Sequence, residues 1–182
     1  MYDLPETVQI GGKTWAIRAD FRVALEILTI LADPALTPWE RLFLTLLYFY
    51  PALPDLPEEQ YPEALARCFD FLREGRPDQP GPPLMDWEQD FPYIMSAVNR
   101  VAGRELRREK FCHWWTFLAA YREIGECVFA QIVRIRRKRL LGQRLDPAEA
   151  AWYRENQTLV DLKLPLTPEE ETLLNQWSPP LN

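Results

Sequence analysis

His113 is the single histidine of the chain, and it follows Cys112 directly. An imidazole beside a thiol suggests nucleophilic catalysis, in which a base draws the proton from a cysteine. Neighbours along a helix point in different directions, so the dipeptide is a poor catalytic pair. A general base also needs an orienting partner and a substrate within reach. The residues therefore favour a structural or interface histidine over a catalytic one. Asp86, Glu88 and Asp90 crowd carboxylates into one short stretch. A calcium or magnesium site needs several converging oxygens, usually with a glycine at a sharp turn, and that pattern is missing. An acidic start to a helix, favoured by the helix dipole, is the simpler reading. Cys68, Cys112 and Cys127 form no CxxC pair and do not suit zinc. They read as reduced thiols on partly buried helix faces. Gly11-Gly12 is followed by no GK[ST], which removes a phosphate loop. Neither a cofactor nor a catalytic residue is expected.

Two further groups point to binding. Arg134, Arg136, Arg137, Lys138 and Arg139 form the densest basic cluster. They suit contact with nucleic-acid phosphates. They equally suit a basic last turn that complements a helix C-terminus and pairs with nearby acids. The net charge of −6 favours the second reading and leaves a nucleic-acid-binding regulator using residues 134–139 as the alternative. The charge is also unevenly spread: Arg100 to Arg144 carry twelve Lys/Arg against four Asp/Glu. A basic middle between acidic flanks attracts an anionic partner or its own flanks. Trp87, Phe91, Trp114 and Trp115 sit at helical spacings, which makes core their default. Trp is also enriched among interface anchors. Trp87, Phe91, Trp114, Trp115, Arg134, Arg136 and Arg137 are thus the candidate partner-binding residues.

The elements that must position these groups are mostly helical. Val8 and Ile10 alternate with polar residues, Gly11-Gly12 make a tight turn, and Trp15 and Ile17 resume the alternation, which predicts a hairpin over 8–17. Such a hairpin is marginal alone and must rest on helices. Asp20 predicts the N-cap of a first helix with Phe21, Ala24, Leu25, Leu28 and Leu31 on one face. Thr37-Pro38-Trp39-Glu40 and Asp146-Pro147-Ala148-Glu149 are capping-box starts. A third helix begins near Pro57-Glu58-Glu59 and stops at Gly75. Asp86 with Gln89 suggests a capping box, but Pro92 conflicts with it, so the fourth helix either starts near Asp90 or is kinked. Glu109 to Arg122 predicts a helix with Phe111, Trp114, Trp115, Leu118 and Tyr121 inward. Cys127 to Leu141 predicts another, with Val128, Ile132, Ile135 and Arg139 on one side. Residues 160–164 read as extended or irregular, and Thr167-Pro168-Glu169-Glu170 opens a short last helix carrying Leu173, Leu174 and Trp177. The expected architecture is mostly α, a multi-helix bundle-like domain over 1–158 with a short N-terminal β-hairpin and a C-terminal appendage over 159–182.

Composition limits the class. Hydrophobic residues make up 47% of 182, enough for a real core without metals or disulfides. Seventeen prolines against seven glycines favour helices with sharply defined ends. The acidic start lacks the apolar stretch of a secretory signal, and the greasiest run, Leu42 to Tyr50, is far short of the ~20 residues of a membrane span. A soluble protein of a reducing cytoplasm, with no membrane contact, is the expectation.

The order of these segments carries a resemblance. A hairpin is followed by Ala19-Asp20-Phe21-Arg22, then a proline-separated helix pair, then Asp86-Trp87-Glu88-Gln89-Asp90-Phe91, then His113-Trp114-Trp115-Thr116-Phe117-Leu118 and an Arg-rich helix. Over roughly Val8 to Glu155 this resembles a family of small tail-cluster proteins of phages and prophages of Gram-positive bacteria, named for a numbered gene product. The chain departs from the family pattern at Trp87, at Pro92, in the proline-rich loop 76–83 and in the stretch from Leu159 to Asn182, which has no counterpart in that pattern. The resemblance implies a tail assembly chaperone acting in the bacterial host cytoplasm. Its partners would be the phage tape-measure protein, held soluble by its helical segments, and the tail-tube protein that replaces the chaperone. It implies no catalytic residues.

Overall fold

The computed structural model describes residues 3–77 and 84–163. Strands β1 (Thr7–Ile10) and β2 (Lys13–Ala16) pair antiparallel, with Val8 opposite Trp15 and Ile10 opposite Lys13. Gly11 and Gly12 adopt φ of +55° and +74°, the left-handed pair that a two-residue hairpin turn requires. Ile10 is fully buried, and Val8 and Trp15 lie against the same core. The hairpin therefore rests on helices, as its small size demands.

Eight α-helices follow among the described residues: α1 (Phe21–Ala32), α2 (Pro38–Phe49), α3 (Tyr61–Leu72), α4 (Phe91–Ala102), α5 (Trp114–Arg122), α6 (Val128–Leu140), α7 (Pro147–Glu155) and α8 (Gln157–Val160). Their ends follow local chemistry. The Asp20 carboxylate accepts the Arg22 N–H at 2.9 Å. Thr37 with Glu40 and Asp146 with Glu149 close reciprocal capping boxes, each with a proline in the first turn. Pro92 sits in the first turn of α4, where a missing N–H costs no intrahelical bond. The conflict between Pro92 and the Asp86 start is thus resolved: the helix begins at Phe91, and Asp86 organises the turn before it.

Other expectations need correction. Residues 58–60 form a short 3-10 turn, and the third helix proper starts at Tyr61. The fifth starts at Trp114, not Glu109. The preceding backbone is taken by the start of α1: Phe21 N–H donates to the Cys112 carbonyl at 2.9 Å and Trp114 N–H to the Ala19 carbonyl at 2.8 Å. Backbone groups satisfied across the molecule are lost to a local helix. Phe111, expected inward, is consequently 51% exposed. On α6, Ile132 and Ile135 are buried as expected, but Val128 and Arg139 are exposed and Phe129 and Arg136 take buried places. Residues 157–160 are helical, with Val160 fully buried, so the expected boundary at 158–159 falls inside a packed helix. The short helix expected from Thr167 and most of the loop 76–83 lie outside the described residues.

The main core lies among the hairpin and α1 to α5. Phe21 stacks on Phe117 with ring centroids 4.9 Å apart, and Phe117 stacks on Trp114 at 5.5 Å. A second, small cluster joins Ile132, Ile135 and Val160. No helix among the described residues is long and apolar enough to cross a membrane.

Candidate functional site

The apolar stripe of α1 is wider than the core it faces. Phe21, Ala24 and Ile27 are buried, while Leu25 and Leu28 remain half-buried. Phe21, Leu25, Leu28 and Ala32 repeat at the spacing of one helix flank. Opposite this flank stands the turn that precedes α4, with Met85, Trp87 and Phe91. Between them run two cavities of about 730 Å³ and about 460 Å³ that share Thr29, Trp87 and Glu88. Together they form one trough along α1. Leu28, Ala32, Met85 and Lys163 line one end, and Phe21, Leu25, Phe91 and Arg107 line the other.

The Trp87 wall is held from behind. Asp86 accepts the N–H groups of Glu88 at 2.9 Å and Gln89 at 2.6 Å. Asp90 accepts the Asp86 N–H at 2.9 Å. Asp90 is itself gripped by Arg136, whose terminal nitrogens donate to its two oxygens at 2.6 Å and 3.0 Å. The remaining Arg136 donors reach the carbonyls of Leu84, Leu159 and Val160 at 3.2, 2.9 and 2.5 Å. All five N–H bonds of the guanidinium are thereby used. The pair is 5% and 0% exposed, and a buried charge is tolerated only with such complete pairing. Trp87 then packs edge-on to Trp114 at 6.1 Å and against Tyr121 at 5.6 Å. Burial pushes the Tyr121 phenol up to about 12, so it stays protonated and donates to the Met85 sulfur at 3.2 Å.

The α1 flank is fixed at its start. Arg22 donates to both Asp20 oxygens at 3.0 Å and to the carbonyls of Leu106, Arg107 and Glu109. At the far end, Gln89 accepts the Lys163 N–H at 2.9 Å and donates to the Asp161 carbonyl at 2.9 Å. The chain therefore leaves α8 at the mouth of the trough. Glu26 and Glu88 lie on its rim, and neither has an ion-pair partner among the described residues.

The seven candidate residues fall into three places. Trp87 and Phe91 line the trough. Trp114 and Trp115 stand behind it and pin α3: their indole N–H groups donate to the carbonyls of Leu72 at 2.9 Å and Phe71 at 2.8 Å. Trp114 is 2% exposed and Trp115 half-buried. The arginines lie on α6. Arg136 is the buried clasp. Arg134 pairs with Glu126 at 3.1 Å and Glu149 at 3.6 Å. Arg137 is exposed, with no side-chain hydrogen bond or ion pair among the described residues. Around them, Lys138 pairs with Glu149 at 2.6 Å, and Arg139 pairs with Asp161 and stacks on the Tyr153 ring. The basic face is largely neutralised by the chain's own acids. Sequence reasoning missed Leu25, Leu28, Met85, Glu26 and Lys163 as trough residues. The one available signal was a stripe on α1 too wide for a single core contact.

His113 is a structural group. Its Nδ1 accepts the Trp115 N–H at 3.0 Å, which caps α5, and its Nε2 faces the Pro5 carbonyl at 3.0 Å. The first contact leaves Nδ1 bare and places the proton on Nε2. The ring is 3% exposed and the Cys112 thiol is raised by burial. No three His, Cys, Asp or Glu side chains converge on a metal-sized space among the described residues. What the trough can do is hold an apolar stripe between two walls, with a rim that carries acids, Glu26 and Glu88, and bases, Arg107 and Lys163.

No curated protein and no solved structure matches this chain. A family model does, over residues 1–162, a span that includes the hairpin, both trough walls and the Arg136 clasp. This chain belongs to the Bacteriophage Gp15 protein family.

Proposed function

We propose that this phage protein is a tail assembly chaperone without catalytic activity of its own, one that shields helical segments of the tape-measure protein during tail morphogenesis. The observation that carries this reading is the trough along α1. It is open and bounded by half-buried Leu25, Leu28, Trp87 and Phe91, at the spacing that receives anchors at i, i+3/4 and i+7 of an amphipathic helix. Three Leu-sized anchors contribute about 1.5–3 kcal/mol each. Association and side-chain ordering cost an amount of the same order. Three anchors alone therefore give weak, reversible binding, which suits a holder that must later release its guest. Glu26 and Glu88, which have no ion-pair partner among the described residues, favour a guest whose apolar stripe is flanked by Lys or Arg on that side.

The basic helix has a smaller part in this reading than its sequence suggests. Arg134, Lys138 and Arg139 are engaged by Glu126, Glu149 and Asp161, which lowers the charge available to steer an acidic segment or to contact nucleic acid. Co-expression with the tape-measure protein of the same phage tests the proposal. The expected result is more soluble tape-measure protein and co-purification of the two chains. Unchanged solubility without co-purification would remove the proposal.

A further inference from the structure

We propose that a second copy of this chain docks in the groove between the end of α4 and α5, forming a two-fold pair. This goes beyond the chaperone reading and does not depend on it. The groove, of about 430 Å³, shares no residue with the trough. Its two sides differ in height. On α4, Val101 projects and is 40% exposed. On α5, Ala119 and Ala120 line the groove with a single methyl each, which leaves a depression beside that projection. Leu106, 2% exposed, closes the base. The charged lining residues are Arg104, just past the end of α4, and Glu123, at the end of α5.

A two-fold contact joins the same patch of both subunits, so the patch must complement itself. This one does so in shape and in charge. A two-fold axis crossing the groove midway between Arg104 and Glu123 brings each Arg104 opposite the other copy's Glu123. The same rotation turns Val101 toward the other copy's Ala119 and Ala120. Both charges are available for this. Glu123 is exposed and has no ion-pair partner among the described residues. Arg104, with its side chain 58% exposed, has Glu109 at 3.7 Å, and such an exposed pair contributes little. Their backbones are fixed. Gly103 ends α4 at φ +67°, the Arg104 N–H donates to the Asn99 carbonyl at 3.2 Å, and the Glu123 N–H donates to the Ala120 carbonyl at 3.1 Å. The neighbouring charges keep the balance. Glu109 stands beside Arg104, and Arg100 donates to the carbonyl of Ile124, next to Glu123. Each end of the groove therefore carries one acid and one base. The patch is smaller than the roughly 20–30 residues a side of a standard interface, so the pair is weak and exchanges quickly. The trough residues stay outside the contact, and a pair presents two troughs.

The test is sedimentation velocity on the full chain, on Arg104→Glu, on Glu123→Arg and on an equimolar mixture of the two variants. Each series extends to about 0.5 mM, where even a weak pair assembles. The parent is expected to show a monomer–dimer equilibrium. Each variant alone sets like charges against each other at both ends of the contact and is expected to pair more weakly by about tenfold or more. The mixture restores opposite charges at both ends. It is expected to pair about as well as the parent, and native mass spectrometry should find one copy of each variant in the dimer. Both variants stay net negative, as the parent is at −6, so bulk charge does not draw them together. A parent that stays monomeric, single variants that pair as well as the parent, or a mixture no more associated than its components would overturn the proposal. No arm contains a guest, so such a failure leaves the chaperone reading standing. Equally, a chain that rescues no tape-measure protein can still show the mixed pair.

Discussion

Around Phe117 the chain buries rings on rings, whereas around Ile135 it buries a charge. The first region, from the hairpin to α5, draws its order from Phe21, Phe49, Phe71, Trp114 and Phe117 in one continuous apolar core. The second, α6 to α8, has a small cluster of its own in Ile132, Ile135 and Val160. It is tied to the first by Phe129, which packs into the main core, and by Arg136, which grips Asp90 and the Leu84 carbonyl while its other donors hold Leu159 and Val160 of α8. Apolar packing is graded, since a smaller side chain leaves a cavity and loses part of the contact. A buried ion pair is not graded, since losing one partner strands the other in a medium that cannot solvate it. The trough lies where these two kinds of order meet: α1 belongs to the apolar core, and the Trp87 wall hangs from the clasp.

The clasp offers the hardest way to break this arrangement. Asp90→Ala leaves the Arg136 guanidinium buried without its anion and is expected to cost about 3–5 kcal/mol. In urea unfolding followed by hydrogen exchange, α6 and α8 should lose protection while α1 and α2 keep theirs. The double variant Asp90→Leu with Arg136→Met should recover only part of the loss, because it removes the stranded charge but leaves the Leu84, Leu159 and Val160 carbonyls and the Asp86 N–H without their partners. Equal loss of protection in α1 would show that the two regions unfold as one. A smaller effect sharpens the comparison inside the second region. Glu149 accepts the Asp146 N–H at 3.0 Å and pairs with Lys138. Glu149→Ala should cost about 1–2 kcal/mol through the α7 cap and the partly exposed pair. Urea midpoints read this directly, and a loss as large as that of Asp90→Ala would erase the distinction between cap and clasp.

The sequence discloses these regions unequally, for a physical reason. Gly11-Gly12, Thr37-Pro38-Trp39-Glu40 and Asp146-Pro147-Ala148-Glu149 were legible because each cap or turn is satisfied within a few residues. The start of α5 was not, because residues near Cys112 give their backbone bonds to Ala19 and Phe21, far away in sequence. Arg136 read as one member of a basic cluster. Its partner, Asp90, lies in a segment that read as an acidic helix start, and nothing local joins the two. Trp87 and Phe91 were legible as candidates because they stand in the acidic-aromatic stretch from Asp86 to Phe91. Leu25 and Leu28 were not, since a stripe shows which flank is apolar but not which part a neighbouring element leaves uncovered.

The sharpest test of the functional account is guest affinity measured on two variants of the intact chain. Peptides tiled across the tape-measure sequence serve as probes, and circular dichroism confirms that each variant is folded. Leu25→Asp puts a charge in the trough without touching the basic helix. Arg137→Glu reverses the exposed charge of α6 without touching the trough. The account predicts at least a tenfold loss of affinity, about 1.4 kcal/mol, for Leu25→Asp and a change within about twofold for Arg137→Glu, as expected of an exposed charge outside the contact. Full affinity in Leu25→Asp together with a loss in Arg137→Glu would contradict it and move the guest to the basic face.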